Sequence, residues 1–168
     1  MISTLQKIFL SFSLCFFSAV TFAQSDGTLD PNFGTAGIST ADNNNNNDEG
    51  NDLLLLPENR IMVAGTSVAT DNDFSFCEFT SSGSLFSAFG NGGKLLWDIE
   101  NGSDDHLNAL ALDSDLKVVA AGNSLIGGSE YIVVVRLTID GIPDNTFGVN
   151  GTGGLLQEID IVVGLRTP

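Results

Sequence analysis

Acidic side chains are the residues of this chain whose types and spacing could do chemistry, and they occur in short clusters. Carboxylate oxygens are the ligands of Ca²⁺, which gathers about 6–8 oxygens in a flexible geometry. Asp side chains also form ordinary turns, because they hydrogen-bond to their own backbone. We therefore expect solvated turns at these clusters, with weak Ca²⁺ binding as the alternative. The candidate metal ligands are Asp71, Asp73, Asp104, Asp105, Asp113 and Asp115.

Residues 42–53 imitate the start of a calcium-binding loop, with Asp42 followed by a run of Asn. An EF-hand loop needs a Gly at its sixth position and a Glu at its twelfth. Asn47 and Leu53 stand at those positions. The sequence therefore predicts no EF-hand, and apart from weak Ca²⁺ binding it predicts no cofactor.

Nucleophilic catalysis has no support in the residue pattern. His106 is the only histidine of the chain, and no Gly-x-Ser-x-Gly segment is present. A serine hydrolase needs a nucleophile and a base that meet, and zinc needs a Cys/His cluster. We predict no catalytic residues. Pairs of carboxylates leave one alternative, a polysaccharide hydrolase, whose chemistry depends on the separation of two acids in space.

The charge of the chain excludes two classes of partner. Asp and Glu number 21 against 6 Lys and Arg, and the formal net charge is −15. Nucleic acids and anionic lipid surfaces are bound through Lys and Arg. We therefore expect no nucleic-acid partner, and a surface that suits solubility outside the cell.

The N-terminus has the pattern of a secretory signal peptide. Lys7 precedes an apolar run over 8–22, and small residues precede a cleavage site before Gln24. A membrane helix needs about 20 apolar residues, so we predict no membrane span in the mature chain. We expect export, to the medium, the cell surface or the periplasm. Cys77 is the only cysteine left after cleavage, and we expect it to fill a buried strand.

A twelve-residue motif occurs three times, at 26–37, 82–93 and 140–151, and its Phe-Gly pairs recur with a period of about 57 residues. A second marker, an Ala-Gly pair at 64–65 and 121–122, recurs with the same period. Several markers that share one period indicate a repeat architecture. Fixed Gly residues favour turns with positive φ, and a fixed Phe anchors a turn to a core. The structural repeat residues are Gly27, Phe33, Gly34, Gly37, Gly65, Gly83, Phe89, Gly90, Gly93, Gly122, Gly141, Phe147, Gly148 and Gly151.

Short apolar runs separated by turns fill the space between the motifs, and no window shows the 3.6-residue period of a helix. This pattern predicts about four strands per repeat. The predicted strands are 53–56, 61–64, 74–79 and 93–99 in the first repeat, and 107–112, 117–121, 131–139 and 154–159 in the second. The predicted fold is all-β, with four-stranded antiparallel blades of a β-propeller-like repeat, incomplete at about two blades.

The residues also resemble a known family. Asp-Gly-x-x-Asp-x-x-Phe-Gly-x-x-Gly, an apolar pair ending in Val-Ala-Gly, and an apolar strand returning to Asp-Gly are similar to the delta-60 repeat, over 26–160. The middle copy differs, with Ser82 and Phe86 where the pattern has Asp. The resemblance implies a propeller-like scaffold of secreted bacterial proteins and supplies no catalytic residues.

These observations divide the chain into a signal peptide (1–23), a first turn motif (24–35), two repeats (36–92 and 93–150) and the start of a truncated third repeat (151–168). Because propellers have about 4–8 blades, we expect a fragment of a longer protein. The predicted function is a secreted, non-catalytic binding or surface scaffold. Its partner is a protein or carbohydrate ligand, or further copies assembled through open blade faces. The alternatives are the polysaccharide hydrolase and a truncated product without independent function.

Overall fold

Two four-stranded antiparallel sheets make up the computed structural model, which describes residues 27–43, 45–148 and 152–158. The first sheet contains, in order, β1 (Asp48–Leu55), β2 (Ile61–Val68), β3 (Asn72–Phe79) and β4 (Lys94–Trp97). The second contains β5 (Asp104–Leu112), β6 (Val118–Ile126), β7 (Ser129–Leu137) and β8 (Gly154–Glu158). The predicted all-β fold of incomplete propeller blades is confirmed.

The sheets and the motif-based repeats are offset along the chain. The first sheet runs over 48–97 and the second over 104–158, so β4 belongs to the first blade although it lies beyond residue 92. The predicted signal peptide and Gly151 lie outside the described residues. Within the described ranges, the only helical segment is the single turn Pro57–Asn59, and no helix is long and apolar enough to cross a membrane.

A β-bulge explains the repeated Ala-Gly pair. The register shifts at equivalent places in β1 and in β5, which pushes the carbonyl of Glu49 or His106 toward the neighbouring strand. A Cβ atom at Gly65 would overlap the Glu49 carbonyl, and one at Gly122 would overlap that of His106. Close backbone approach therefore requires glycine at both positions, as bulged strand pairs often do.

The sheets pack face to face, and their first strands are also joined by hydrogen bonds. The Asn51 side chain donates to the Leu107 carbonyl at 2.7 Å, and the Leu110 N–H donates to the Asp52 carboxylate at 2.7 Å. Apolar side chains of both sheets form one core, because burying them removes apolar surface from water. Its buried members are Leu56, Met62, Ala64, Phe74, Phe76, Phe89, Leu107, Val118, Ala120, Val133, Val135 and Leu137.

The three turn motifs stack on one another through a repeated hydrogen bond. The Gly34 N–H donates to the Ser82 carbonyl at 2.8 Å, and the Gly90 N–H donates to the Asp140 carbonyl at 3.1 Å. Each bond joins the Phe-Gly pair of one copy to the first residue of the next turn. The motif glycines have positive φ at Gly27, Gly34, Gly37, Gly83, Gly90, Gly93, Gly141 and Gly148.

The third copy closes its turn later than the second. In the second copy the Gly93 carbonyl accepts the Glu78 N–H at 2.9 Å, and in the third the Gly153 carbonyl accepts the Arg136 N–H at 2.7 Å. Gly153 also donates to the carbonyl of its motif Phe, as Gly93 does. Gly153 is thus the structural counterpart of Gly93 in the third copy.

Candidate functional site

Three carboxylates meet where the two sheets join. Asp73 lies near the start of β3, Asp98 follows β4, and Asp105 lies in β5. One oxygen from each residue is within 4.8 Å of the other two. Asp73 and Asp105 are 6% and 0% exposed, whereas Asp98 is exposed. These three residues are called the acidic junction below.

The loop between β4 and β5 positions two of the three carboxylates. The Ile99 N–H donates to one Asp105 oxygen at 2.8 Å, and the Ser103 hydroxyl donates to the other at 2.8 Å. The Gly102 N–H donates to Asp98 at 3.4 Å. The loop therefore folds back over the start of β5 and holds both acids in place.

Asp73 has no such support. Its Oδ1 atom is buried and has no hydrogen-bond partner. Burial raises the pKa of Asp73 to about 6, and the charges of Asp98, Asp71 and Asp105 act in the same direction. A buried carboxylate oxygen without a partner is costly, so Asp73 is the least satisfied member of the acidic junction.

Asp105 is better satisfied, although it is fully buried. Burial raises its pKa, while the Ser124 hydroxyl, the Ile99 N–H and the Ser103 hydroxyl act in the opposite direction. Ser124 lies opposite Asp105 in the β5–β6 register. Its hydroxyl is buried beside the Asp105 carboxylate, so a further polar group lies next to the acidic junction.

Positively charged side chains of the described residues are engaged elsewhere. No ion pair formed by those residues involves Asp73, Asp98 or Asp105. The ion pairs are Arg60–Glu78, Lys117–Asp144, Arg136–Asp113 and Arg136–Asp144. The negative charge of the acidic junction is therefore balanced by no ion pair within this part of the chain.

Two of the six predicted metal ligands, Asp73 and Asp105, belong to the acidic junction. Asp71 lies beside it, since its charge raises the pKa of Asp73. Asp104 turns away and accepts hydrogen bonds from the Asn72 backbone and side chain at 3.4 and 3.1 Å.

The remaining two candidates form an ordinary turn. Asp113 accepts the N–H groups of Asp115 and Lys117, both at 2.9 Å, in the β5–β6 turn. Asp115 is exposed at the tip of that turn. Both residues are thus placed as turn residues, and Asp113 also forms an ion pair with Arg136 at 3.7 Å.

Asp98 was missed by sequence reasoning, although the repeat contains a signal for it. Asp42 and Asp48 stand one repeat before Asp98 and Asp105, at the same step of about 57 residues that separates the other markers. Asp48 accepts the Asn43 N–H at 3.0 Å, much as Asp105 accepts the Ile99 N–H. The two acids thus recur together at the entry to each blade.

The other residues considered for chemistry are ordinary in their surroundings. His106 is exposed on β5. Cys77 is 8% exposed, and burial raises the pKa of its thiol. The Asn43 side chain donates to its sulfur at 3.4 Å. The prediction that Cys77 is buried within a strand is confirmed.

One comparison with known proteins gives a match. A family model described as a domain of unknown function (DUF5122) beta-propeller matches residues 114–147. The matched stretch runs from the β5–β6 turn, through β6 and β7, to the Phe of the third motif. No curated protein and no solved structure matches the chain. Over this stretch the chain is similar to a β-propeller repeat, and its two sheets have the form of propeller blades.

Proposed function

We propose that the chain is an exported, non-catalytic scaffold built of β-propeller-type repeats of the delta-60 kind, which presents its surface to a protein or carbohydrate ligand. One observation carries this proposal. The features that recur with the period of the repeat build blades or stack them, and they do not include a nucleophile with its base.

The recurring features illustrate the point. The bulge glycines Gly65 and Gly122 permit two strands to approach. The bonds from Gly34 and Gly90 join each turn motif to the next. The buried ring of Phe89 anchors the middle motif in the core. Function in repeat scaffolds resides in surfaces that stacking creates, so a binding role follows more directly than catalysis.

A polysaccharide hydrolase remains the alternative, and the acidic junction is the feature closest to it. Glycosidases need two carboxylates that flank a bound sugar in an open cleft. Only Asp98 of the three acids is exposed, while Asp73 and Asp105 are buried. Their closure from solvent favours a structural role for this cluster.

Incubation of the purified protein with a panel of soluble polysaccharides, followed by an assay for new reducing ends, separates the two functions. We expect no release of sugar, together with retention of the protein on at least one insoluble polysaccharide or on an extracellular protein fraction. Sugar release that disappears in an Asp98→Asn variant would overturn the scaffold proposal in favour of the hydrolase.

Export has its own test. Expression of the whole chain and of a version lacking 1–23 in a bacterial host, followed by cell fractionation, should place only the whole chain outside the cytoplasm. Equal cytoplasmic retention of both versions would contradict export.

The open faces of the blades support self-assembly as part of this function. Ile132 and Leu155 of the second sheet are 48% and 44% exposed, and Leu53 of the first is 57% exposed. Light scattering should show mass that rises with concentration, and an Ile132→Ser variant should associate less. A strict monomer at all concentrations would remove self-assembly from the proposal.

A further inference from the structure

We propose that the acidic junction is a binding site for one divalent cation of the Ca²⁺ class, held by Asp73, Asp98 and Asp105, and that the bound ion fastens the two blades together. The site takes its ligands from both sheets and from the loop between them.

The spacing of the oxygens fits such an ion. Ca²⁺ binds oxygen at about 2.3–2.6 Å, so two of its ligands can lie up to roughly 5 Å apart. All three oxygens fall within 4.8 Å of one another. Mg²⁺ requires about 2.0–2.1 Å and nearly ideal octahedral geometry, which would draw the carboxylates closer. The donors are all oxygens, which suits hard cations and not zinc or copper.

One of the three acids also has an unpartnered oxygen. Asp73 is 6% exposed, and its buried Oδ1 atom has no hydrogen-bond partner. The nearby charge of Asp71 adds to the negative potential. No ion pair of the described residues neutralises any of the three acids. A cation would satisfy the Asp73 oxygen and remove the mutual repulsion in one step, because opposite charge stabilises clustered carboxylates.

The location gives the ion a structural effect. Asp73 belongs to the first sheet and Asp105 to the second, while Asp98 begins the connecting loop. A ligand that binds only the assembled pair of sheets stabilises that assembly by mass action. Cation binding should therefore raise the melting temperature and resist separation of the blades.

The single tryptophan of the chain offers a direct probe. Trp97 immediately precedes Asp98, so Tb³⁺ at the acidic junction should emit when Trp97 is excited. The purified protein, first stripped with EDTA, is titrated with Tb³⁺ and then with Ca²⁺. We expect sensitised emission that saturates at one ion per chain and is displaced by Ca²⁺ before Mg²⁺. Calorimetry with CaCl₂ alone should give the same stoichiometry.

Variants test the assignment of ligands. Asp98→Asn changes an exposed side chain, so the fold should survive, and Ca²⁺ affinity should fall about tenfold or more with the loss of one charged ligand. Asp115→Asn is the matched control, because Asp115 is an exposed acid in the β5–β6 turn. Trp97→Phe should abolish the emission that is excited through tryptophan but leave the calorimetric Ca²⁺ heat.

Several outcomes would overturn the site. These are the absence of both Ca²⁺ heat and a rise in melting temperature, Asp98→Asn binding as tightly as the unchanged chain, and Asp115→Asn weakening binding equally. None of these results bears on whether the chain is exported or hydrolyses polysaccharide, so the two proposals fail separately.

Discussion

The two blades have the same backbone at the turn motif but opposite arrangements of charge. Glu78 in β3 and Arg136 in β7 occupy equivalent positions, one repeat apart. Each donates its N–H to the glycine carbonyl that closes the motif turn. The backbone carbonyl of each accepts the N–H of the fifth motif residue, Phe86 or Asp144, at 2.7 and 2.8 Å. One blade therefore has an acid where the other has a base.

In the first blade the acid lies in the strand. Glu78 is 0% exposed, and its Oε1 accepts a hydrogen bond from Arg60 at 2.5 Å, whereas its Oε2 is buried without a partner. The Arg60 guanidinium also lies over the Phe86 ring, 4.4 Å from its centre. An aromatic ring therefore fills the motif position that is acidic in the other two copies.

In the second blade the acid lies in the turn. Asp144 accepts hydrogen bonds from Lys117 at 2.6 Å and from Arg136 at 2.7 Å, and the Thr146 N–H donates to it at 3.1 Å. Arg136 lies 4.7 Å from the centre of the Phe147 ring. Lys117 corresponds to Arg60, which stands one repeat earlier in the chain.

The difference shows that a set of residues, and not a single motif letter, holds each turn in place. Each blade combines an acid, at least one cation and an aromatic ring, and the acid changes places between strand and turn. Phe86 is therefore no defect of the middle motif, because Glu78 supplies the missing carboxylate from the strand. Buried charge requires a partner, and that requirement explains why two positions differ together.

The largest expected effect is a loss of stability on truncation of the motif Phe, and it should differ between the two blades. Phe89 is fully buried beneath the third motif, whereas Phe147 is partly exposed. Phe89→Ala should reduce the free energy of unfolding by about 3–5 kcal/mol, and Phe147→Ala by about 1–2 kcal/mol. Urea denaturation followed by circular dichroism measures both. Equal losses would mean that the two motifs are anchored alike.

The second-largest expected effect tests whether the charged sets of the two blades are interchangeable. These sets are Glu78 with Arg60 in the first blade, and Asp144 with Lys117 and Arg136 in the second. Arg136→Glu places a second acid beside Asp144 and should lower the melting temperature by about 5–10 °C. Adding Asp144→Phe recreates the arrangement of the first blade, with Lys117 available to the new carboxylate.

The double variant should regain at least half of the lost melting temperature, because the second substitution removes the repulsion that the first created. Thr146→Ala combined with Arg136→Glu is the control, since it changes the same turn without removing the acid. If the double variant melts no higher than Arg136→Glu alone, the two arrangements are not equivalent.

The contributions of Glu78 and Asp144 to stability should depend on pH with opposite signs. Burial raises the pKa of Glu78 from 4.5 to about 7, although Arg60 lowers it in part. The folded state therefore binds the Glu78 proton more tightly than the unfolded state does, and stability is lost as pH rises between about 4.5 and 7. One pKa unit corresponds to about 1.4 kcal/mol, so this loss is at most a few kcal/mol.

Hydrogen bonds from Lys117, Thr146 and Arg136 hold the pKa of Asp144 well below its usual value of 3.8, against the effect of its burial. The stability that Asp144 contributes is therefore present above pH 3.8 and is lost as the pH falls below it.

Melting curves from pH 3 to 8 (about one unit apart) test both signs. Glu78→Gln should flatten the decline between pH 4.5 and 7, and Asp144→Asn should remove only the acid-side decline. A Glu78→Gln profile that runs parallel to that of the unchanged chain would show that Glu78 keeps an ordinary pKa.

The blade architecture could be predicted from the sequence because the period of the glycine and Phe markers is independent of side-chain contacts. Each of the eight strands in the part of the chain that the structure describes overlaps a predicted one, since apolar runs and turns alternate. The acidic junction could be predicted only in part. Asp98 shares its loop with Glu100, so its repeat relation to Asp42 is the signal that singles it out. The meeting of β3 with β5 depends on how the sheets stack.

The charged sets were beyond sequence reasoning for a related reason. Glu78 lies between Cys77 and Phe79 in β3, and nothing in its neighbours along the chain indicates that Arg60 is its partner. Their contact follows from the β2–β3 pairing. The sequence also misplaces the end of the third motif. Gly151 matches the twelfth position of the sequence pattern, but Gly153 makes the hydrogen bonds that Gly93 makes in the second copy.

The smallest expected effect is a change in stability when a strained residue is replaced in the first hairpin turn of each blade. Leu116 in the β5–β6 turn has a φ of 60°, and Asn59 in the β1–β2 turn has a φ of 56°. A left-handed conformation costs most residues roughly 1–2 kcal/mol, and Asn tolerates it better than Leu. Leu116 is 48% exposed, so its removal sacrifices little burial. Leu116→Gly should therefore stabilise the protein by about 0.5–1 kcal/mol after the entropy of glycine is deducted, whereas Asn59→Gly should be close to neutral. Urea denaturation of the two variants side by side decides the matter, since equal changes would show that backbone strain in the second turn is no greater than in the first.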